Sequence, residues 1–152
     1  MRLLDYYRVR RDVRRQLRLV DPRGRVPPVT LRELRHLMRP RDSKRSREPA
    51  PRLIQLLARV SDHFGGRAIH IVSGVRPAGG STKQTSRHVD GRAIDFRVAG
   101  VPVDALRHYC ARFDRVGVGL YPRGRFVHLD VREQNARWTD WSGPGETAPS
   151  PL

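Results

Sequence analysis

A chain of 152 residues with 38% hydrophobic content is long enough to bury one core without disulfides and too short for two ordinary domains. Its single cysteine, Cys110, excludes an internal disulfide and a cysteine-based zinc cluster, and reads as a small buried thiol in a helical stretch. A formal net charge of +16, with arginine at every basic position except Lys44 and Lys83, favours polyanionic surroundings such as nucleic acid, an anionic membrane face or an anionic cell-wall polymer, or else a solvated basic surface.

Residues 1–14 read as a basic N-terminal arm, without the apolar core of a signal peptide. No apolar run approaches the roughly 20 residues that a membrane span needs. QLRLVDPRGRVPPVT reads as a strand, a turn at Pro22 and Gly24, and a second extended piece held by Pro27 and Pro28. A helix follows from Thr30, where Thr30 and Glu33 form a capping box and Leu31, Leu34 and Met38 recur at helical spacing. Beyond a charged loop, Leu53, Ile54, Leu56, Leu57, Val60 and Phe64 give the clearest apolar stripe, closed by Gly65 at the C-cap.

AIHIVSG then reads as a buried strand, RAIDFRV as another, VDALRHYCARF as a third helix, and RVGVGLYP with RFVHLDVR as a hairpin turning at Pro122 and Gly124. No regular alternation of strand and crossover helix is present, so the expected fold class is α+β: one domain over 15–138, with a mainly antiparallel sheet and flanking helices. Residues 139–152 form a Pro/Gly/Ser tail, and Trp138 and Trp141 are placed to fold back on the body.

Strand parity selects the polar residues of interest. In RAIDFRV, Ile94, Phe96 and Val98 face one way and Asp95 the other; in RFVHLDV, Val127, Leu129 and Val131 face the core and Phe126, His128 and Asp130 oppose them. If the two strands are neighbours, Asp95 and His128 converge, and His88 arrives from the loop before. Two histidines and an aspartate, with a fourth position left to water, suit a catalytic zinc. The same three residues also suit a plain turn between strands. His36, His63, His70 and His108 read as solvated, helix-bound or packed residues rather than ligands.

Three segments carry a resemblance. SRHVDGRAIDF is similar to the S-x-H-x-x-G-x-A-x-D signature of zinc D-alanyl-D-alanine carboxypeptidases and murein endopeptidases, which have the hedgehog-type DD-peptidase fold. SGVRP at 73–77 resembles that family's S-G-Y-R-S segment, and FVHLDVR at 126–132 its last metal-binding strand, all in the family's order. The resemblance implies that His88, Asp95 and His128 bind one zinc ion and that Arg76 holds a substrate carboxylate or carbonyl, although a surface salt bridge would also explain Arg76. Ser86 either hydrogen-bonds near the metal or starts the turn, and Gly91 supplies a backbone conformation closed to other residues. Tyr121 either stabilises an oxyanion or packs at the hairpin turn.

The general base is less defined. Some relatives place a glutamate three residues before the last histidine, where this chain has Arg125. Asp130 is the replacement candidate, equally readable as a carboxylate that orients His128; Asp90 is a weaker choice. These readings imply a monomeric zinc peptidase that cuts a peptide bond next to a D-amino acid in peptidoglycan, as an endopeptidase or a carboxypeptidase. Its place would be the cell envelope or periplasm, in tension with the absence of a signal peptide. The alternatives are a catalytically silent, zinc-containing wall-binding module and a basic nucleic-acid-binding protein, the latter suggested by charge alone.

Overall fold

Alternating apolar positions in the strands and a continuous apolar stripe on the longest helix build a sheet with helices on one face. The computed structural model describes residues 4–8, 13–38, 48–73 and 91–142. In chain order it contains β1 (Leu4–Arg8), β2 (Val13–Leu17), α1 (Pro28–Leu37), α2 (Pro51–His63), β3 (Ile69–Ser73), β4 (Ala93–Val98), α3 (Val103–Cys110), β5 (Val116–Tyr121), β6 (Phe126–Val131) and β7 (Ala136–Thr139). The strands form one seven-stranded sheet in the order β2-β1-β3-β4-β6-β5-β7.

The expected α+β class holds, but the sheet is mixed. β3–β4, β4–β6 and β5–β6 pair antiparallel as expected, whereas β1 runs parallel to β3 and β7 parallel to β5. Both parallel pairings lie outside the central strands and involve segments that the sequence reading had not made strands. Residues 4–8, read as part of a basic arm, are inserted between β2 and β3, their backbone groups satisfied on both sides. Ladder bonding outweighs the arginine-rich composition there.

The core-facing parity is as expected. Ile94, Phe96, Val98, Val127, Leu129 and Val131 join Val116, Val118 and Leu120 of β5 in one buried cluster with Leu34, Leu53, Ile54, Leu57, Val60 and Leu106 from the helices. Burying a residue such as Leu57 or Phe96 contributes about 1.5–3 kcal/mol each, so this layer holds the sheet from behind. Gly65, at φ +77°, ends α2 as a left-handed cap, with the Gly66 amide donating to the Ser61 carbonyl at 2.8 Å. Cys110 is buried in α3, and burial pushes its thiol up to about 12.

The capping box is not formed. α1 begins two residues earlier, at Pro28, and the Thr30 hydroxyl donates instead to the Arg18 carbonyl, tying the helix to the end of β2. Proline at N1 needs no amide partner and fixes the starting φ, which makes the cap dispensable. Trp138 does fold back, as part of β7, but Trp141 is 68% exposed.

Candidate metal centre

On the face opposite the helices, β4 and β6 place Asp95 directly across from His128 and Ala93 across from Asp130. One apolar/polar alternation per strand therefore does two things: it fills the core and aligns three polar side chains on the other face. Those side chains are not solvated. Asp95, His128 and Asp130 are 3%, 9% and 0% exposed, so each has to be satisfied from within.

They satisfy one another in a row. His128 Nδ1 lies 3.0 Å from Asp95 Oδ1, and Nε2 lies 2.7 Å from Asp130 Oδ2. Arg132 closes the row with a two-pronged contact, Nε donating to Asp130 Oδ1 at 2.6 Å and Nη2 to Oδ2. Ionised carboxylates only accept, so the ring satisfies both neighbours only as the imidazolium. Burial works against that charged form, but the hydrogen bonds and charges of Asp130 and Asp95 outweigh it and raise the His128 pKa. Burial likewise favours neutral Asp130, yet Arg132 and His128 hold its carboxyl well below the usual 3.8.

The two shifts set a pH window for the metal-free protein. A raised histidine pKa stabilises below its unfolded value of about 6.5 and is lost as pH climbs through the folded value; a depressed carboxyl pKa stabilises above about 3.8 and is lost as pH falls through the folded value. Thermal denaturation in chelator should thus show maximal stability between about pH 3.8 and 6.5. A Tm that climbs steadily from pH 6 to 9 contradicts the arrangement.

Sequence reasoning missed the surroundings of this row. β5 runs Val-Gly-Val-Gly, and its glycines share the parity of the polar face: Gly117 pairs with Asp130 and Gly119 with His128. A Cβ on Gly117 would lie 2.5 Å from Asp130 Oδ2 and from Arg132 Nη2, and one on Gly119 would lie 2.5 Å from the Trp138 indole. Trp138 occupies the vacated space, its ring centroid 5.1 Å from that of His128, with the Arg132 guanidinium 5.5 Å above the indole. The legible signal was the glycine alternation in register with His128 and Asp130. Gly119→Val should displace Trp138 and cost about 1–3 kcal/mol by overpacking, read by denaturant unfolding and by Trp138 fluorescence in a Trp141→Phe background.

The remaining predicted residues divide sharply. Tyr121 stacks on Phe126 with centroids 4.6 Å apart, and its hydroxyl accepts from Trp138 Nε1 at 3.1 Å, so it supports the indole. Arg125 lies exposed in the hairpin turn at φ +56°. Arg76, Ser86, His88 and Asp90 lie outside the described residues. The backbone leading to them is fixed at both ends: a register shift between Ile71 and Ser73 sets Ser73 opposite Asp95, and Gly91, at φ +77°, precedes β4 where a Cβ would meet the Glu48 carbonyl oxygen at 2.6 Å. His36, His63 and His108 are exposed on helices. Among the described residues no three His, Cys, Asp or Glu side chains form a metal-holding group.

Asp95 and His128 nevertheless fit a cation. The Nδ1 proton sits between an imidazole nitrogen and a carboxylate oxygen 3.0 Å apart, a donor pair suited to zinc. Nε2 meanwhile donates to Asp130, the carboxylate–histidine contact that commonly orients a ligand imidazole.

The family described as peptidoglycan L,D-endopeptidase MepK, Peptidase_M15_2, matches residues 2–138. The chain belongs to this family. It is similar to the Haemophilus influenzae protein named "Probable peptidoglycan L,D-endopeptidase MepK", at 31% identity over 68% of this chain and 62% of that protein. It is also similar to the Escherichia coli K12 protein named "Peptidoglycan L,D-endopeptidase MepK", at 28% identity over 73% of this chain and 66% of that one. The chain thus spans less than two thirds of the length of these curated relatives. No solved structure gives a significant match. The family match covers the sheet, the helices and the Asp95–His128–Asp130 row, and no helix among the described residues is long and apolar enough to cross a membrane.

Proposed function

We propose that this chain is a zinc-dependent peptidoglycan hydrolase acting as an L,D-endopeptidase, with His88, Asp95 and His128 as the zinc ligands. The observation that carries the reading is the buried contact of His128 with Asp95, 3.0 Å apart across β4 and β6, inside a chain of the MepK family. The relatives' names favour an internal peptide bond over the terminal bond of a carboxypeptidase. The cell envelope is where such a substrate lies.

Zinc held there supplies Lewis acidity to the scissile carbonyl and to the attacking water. The chain's own groups do the rest. Asp95 contributes charge and one donor atom. Asp130 orients His128 rather than serving as the base, a role supported by its full burial and its contacts with His128 and Arg132. Asp90 then remains as the candidate base. Arg76 binds the substrate carbonyl or carboxylate with its planar fork. Tyr121 and Trp138 wall the site.

Elemental analysis of the purified protein tests the centre. One zinc per chain, removed by chelator and restored by added zinc, is expected; a protein that takes up no divalent metal on reconstitution overturns the reading. Stoichiometric zinc without hydrolysis would favour the silent wall-binding module.

A further inference from the structure

At the end of β6, two residues beyond Asp130, a cleft of about 660 Å³ opens, lined by Arg52, Arg92, Arg132, Glu133 and Asn135 among others. Three arginines face one acidic residue there, so the cleft is positive. Its walls are built rather than loose. Arg52 Nη1 donates to the Arg115 carbonyl at 2.6 Å and Nη2 to the Asp114 carbonyl, which pins the side chain across the start of β5. Asn135 is held by accepting from the Val116 amide at 3.1 Å. Arg132 is fixed from behind by Asp130 through Nε and Nη2, and its side chain keeps 19% exposure.

We propose that this cleft is a subsite for a carboxylate of the peptidoglycan stem peptide; the inference rests on the peptidase reading above. The planar forks of Arg92 and Arg132 match a carboxylate. The cleft is two side chains from the ligand pair, since Arg132 touches Asp130 and Asp130 touches His128. Arg132 thus links an anion bound there to the Asp130–His128 pair, which favours a stem carboxylate over the phosphate of a separate wall polymer. Arg132 has a double part: it meets the anion on one side and secures Asp130 on the other.

The test uses the full chain loaded with zinc and two muropeptides that differ only in whether the stem carboxylates are free or amidated. The free form should show about a tenfold lower KM at similar kcat, the worth of one charge-assisted hydrogen bond. Arg92→Gln, at an exposed position outside the proposed catalytic row, should bring the two substrates within about twofold of each other, and Arg92→Lys should restore part of the difference. Equal KM values in the wild type overturn the subsite, as does a preference that survives Arg92→Gln, or inhibition by inorganic phosphate with no sensitivity to amidation. If neither muropeptide is cut, the peptidase reading fails, and calorimetric Kd values for the same pair, judged by the same tenfold criterion, still decide the cleft.

Discussion

His128→Ala is expected to abolish zinc binding and peptidoglycan cleavage together. Removing a residue that merely orients a ligand commonly costs about 10–100-fold in metal affinity or activity, so removing a ligand itself should exceed about 100-fold. The substitution also leaves Asp95 and Asp130, at 3% and 0% exposure, without the cation between them. Asp130 keeps Arg132, whereas Asp95 loses its charged neighbour on β6. Breaking such a buried contact costs about 3–5 kcal/mol, and the zinc measurement has to be paired with circular dichroism. His128→Gln keeps bulk and one donor, and should preserve the fold better while still losing the metal. Full zinc occupancy in either folded variant would contradict His128 as a ligand.

Asp130→Asn separates two roles that the sequence alone leaves equal. As an orienting group, Asp130 loses only charge in this variant, so zinc affinity and activity should fall together by about 10–100-fold. As a general base, it would leave zinc affinity intact while the rate fell by about 10²–10⁴. The structure favours the first outcome, because Asp130 is fully buried and both its oxygens already accept from His128 or Arg132. Stability should fall too. Arg132 loses its anion but is partly solvated, which puts the cost near the lower end for a broken buried pair, about 3 kcal/mol, or a Tm drop of about 6–12 °C for a domain of this size. A tight-binding but slow variant would return Asp130 to the role of base.

The central strands were legible because one pattern serves two purposes. Ile94, Phe96, Val127 and Leu129 are spaced for a core, and that spacing obliges Asp95, His128 and Asp130 to share the other face. The sequence could also show that α2 is a core helix and that Gly65 ends it. It could not show that β4 and β6 are neighbours in the register that sets Asp95 against His128, since pairing is decided by the whole sheet. Strands β1 and β7 were obscured for a related reason. β1 lies in a basic stretch that resembles a solvated arm and β7 leads into the tail, and pairing with β3 and β5 makes them strands. Arg132 and Trp138 were missed because their roles arise across strands: the room they occupy is made by Gly117 and Gly119, which look unremarkable in a linear reading.

The most direct test of the account is mass analysis of the products released when the zinc-loaded chain digests purified peptidoglycan. The account predicts new ends at bonds whose carbonyl belongs to an L-residue and whose nitrogen belongs to a D-centre, with no release after chelation or in His128→Ala. Release of terminal D-amino acids alone, or cleavage that persists without metal, would contradict it.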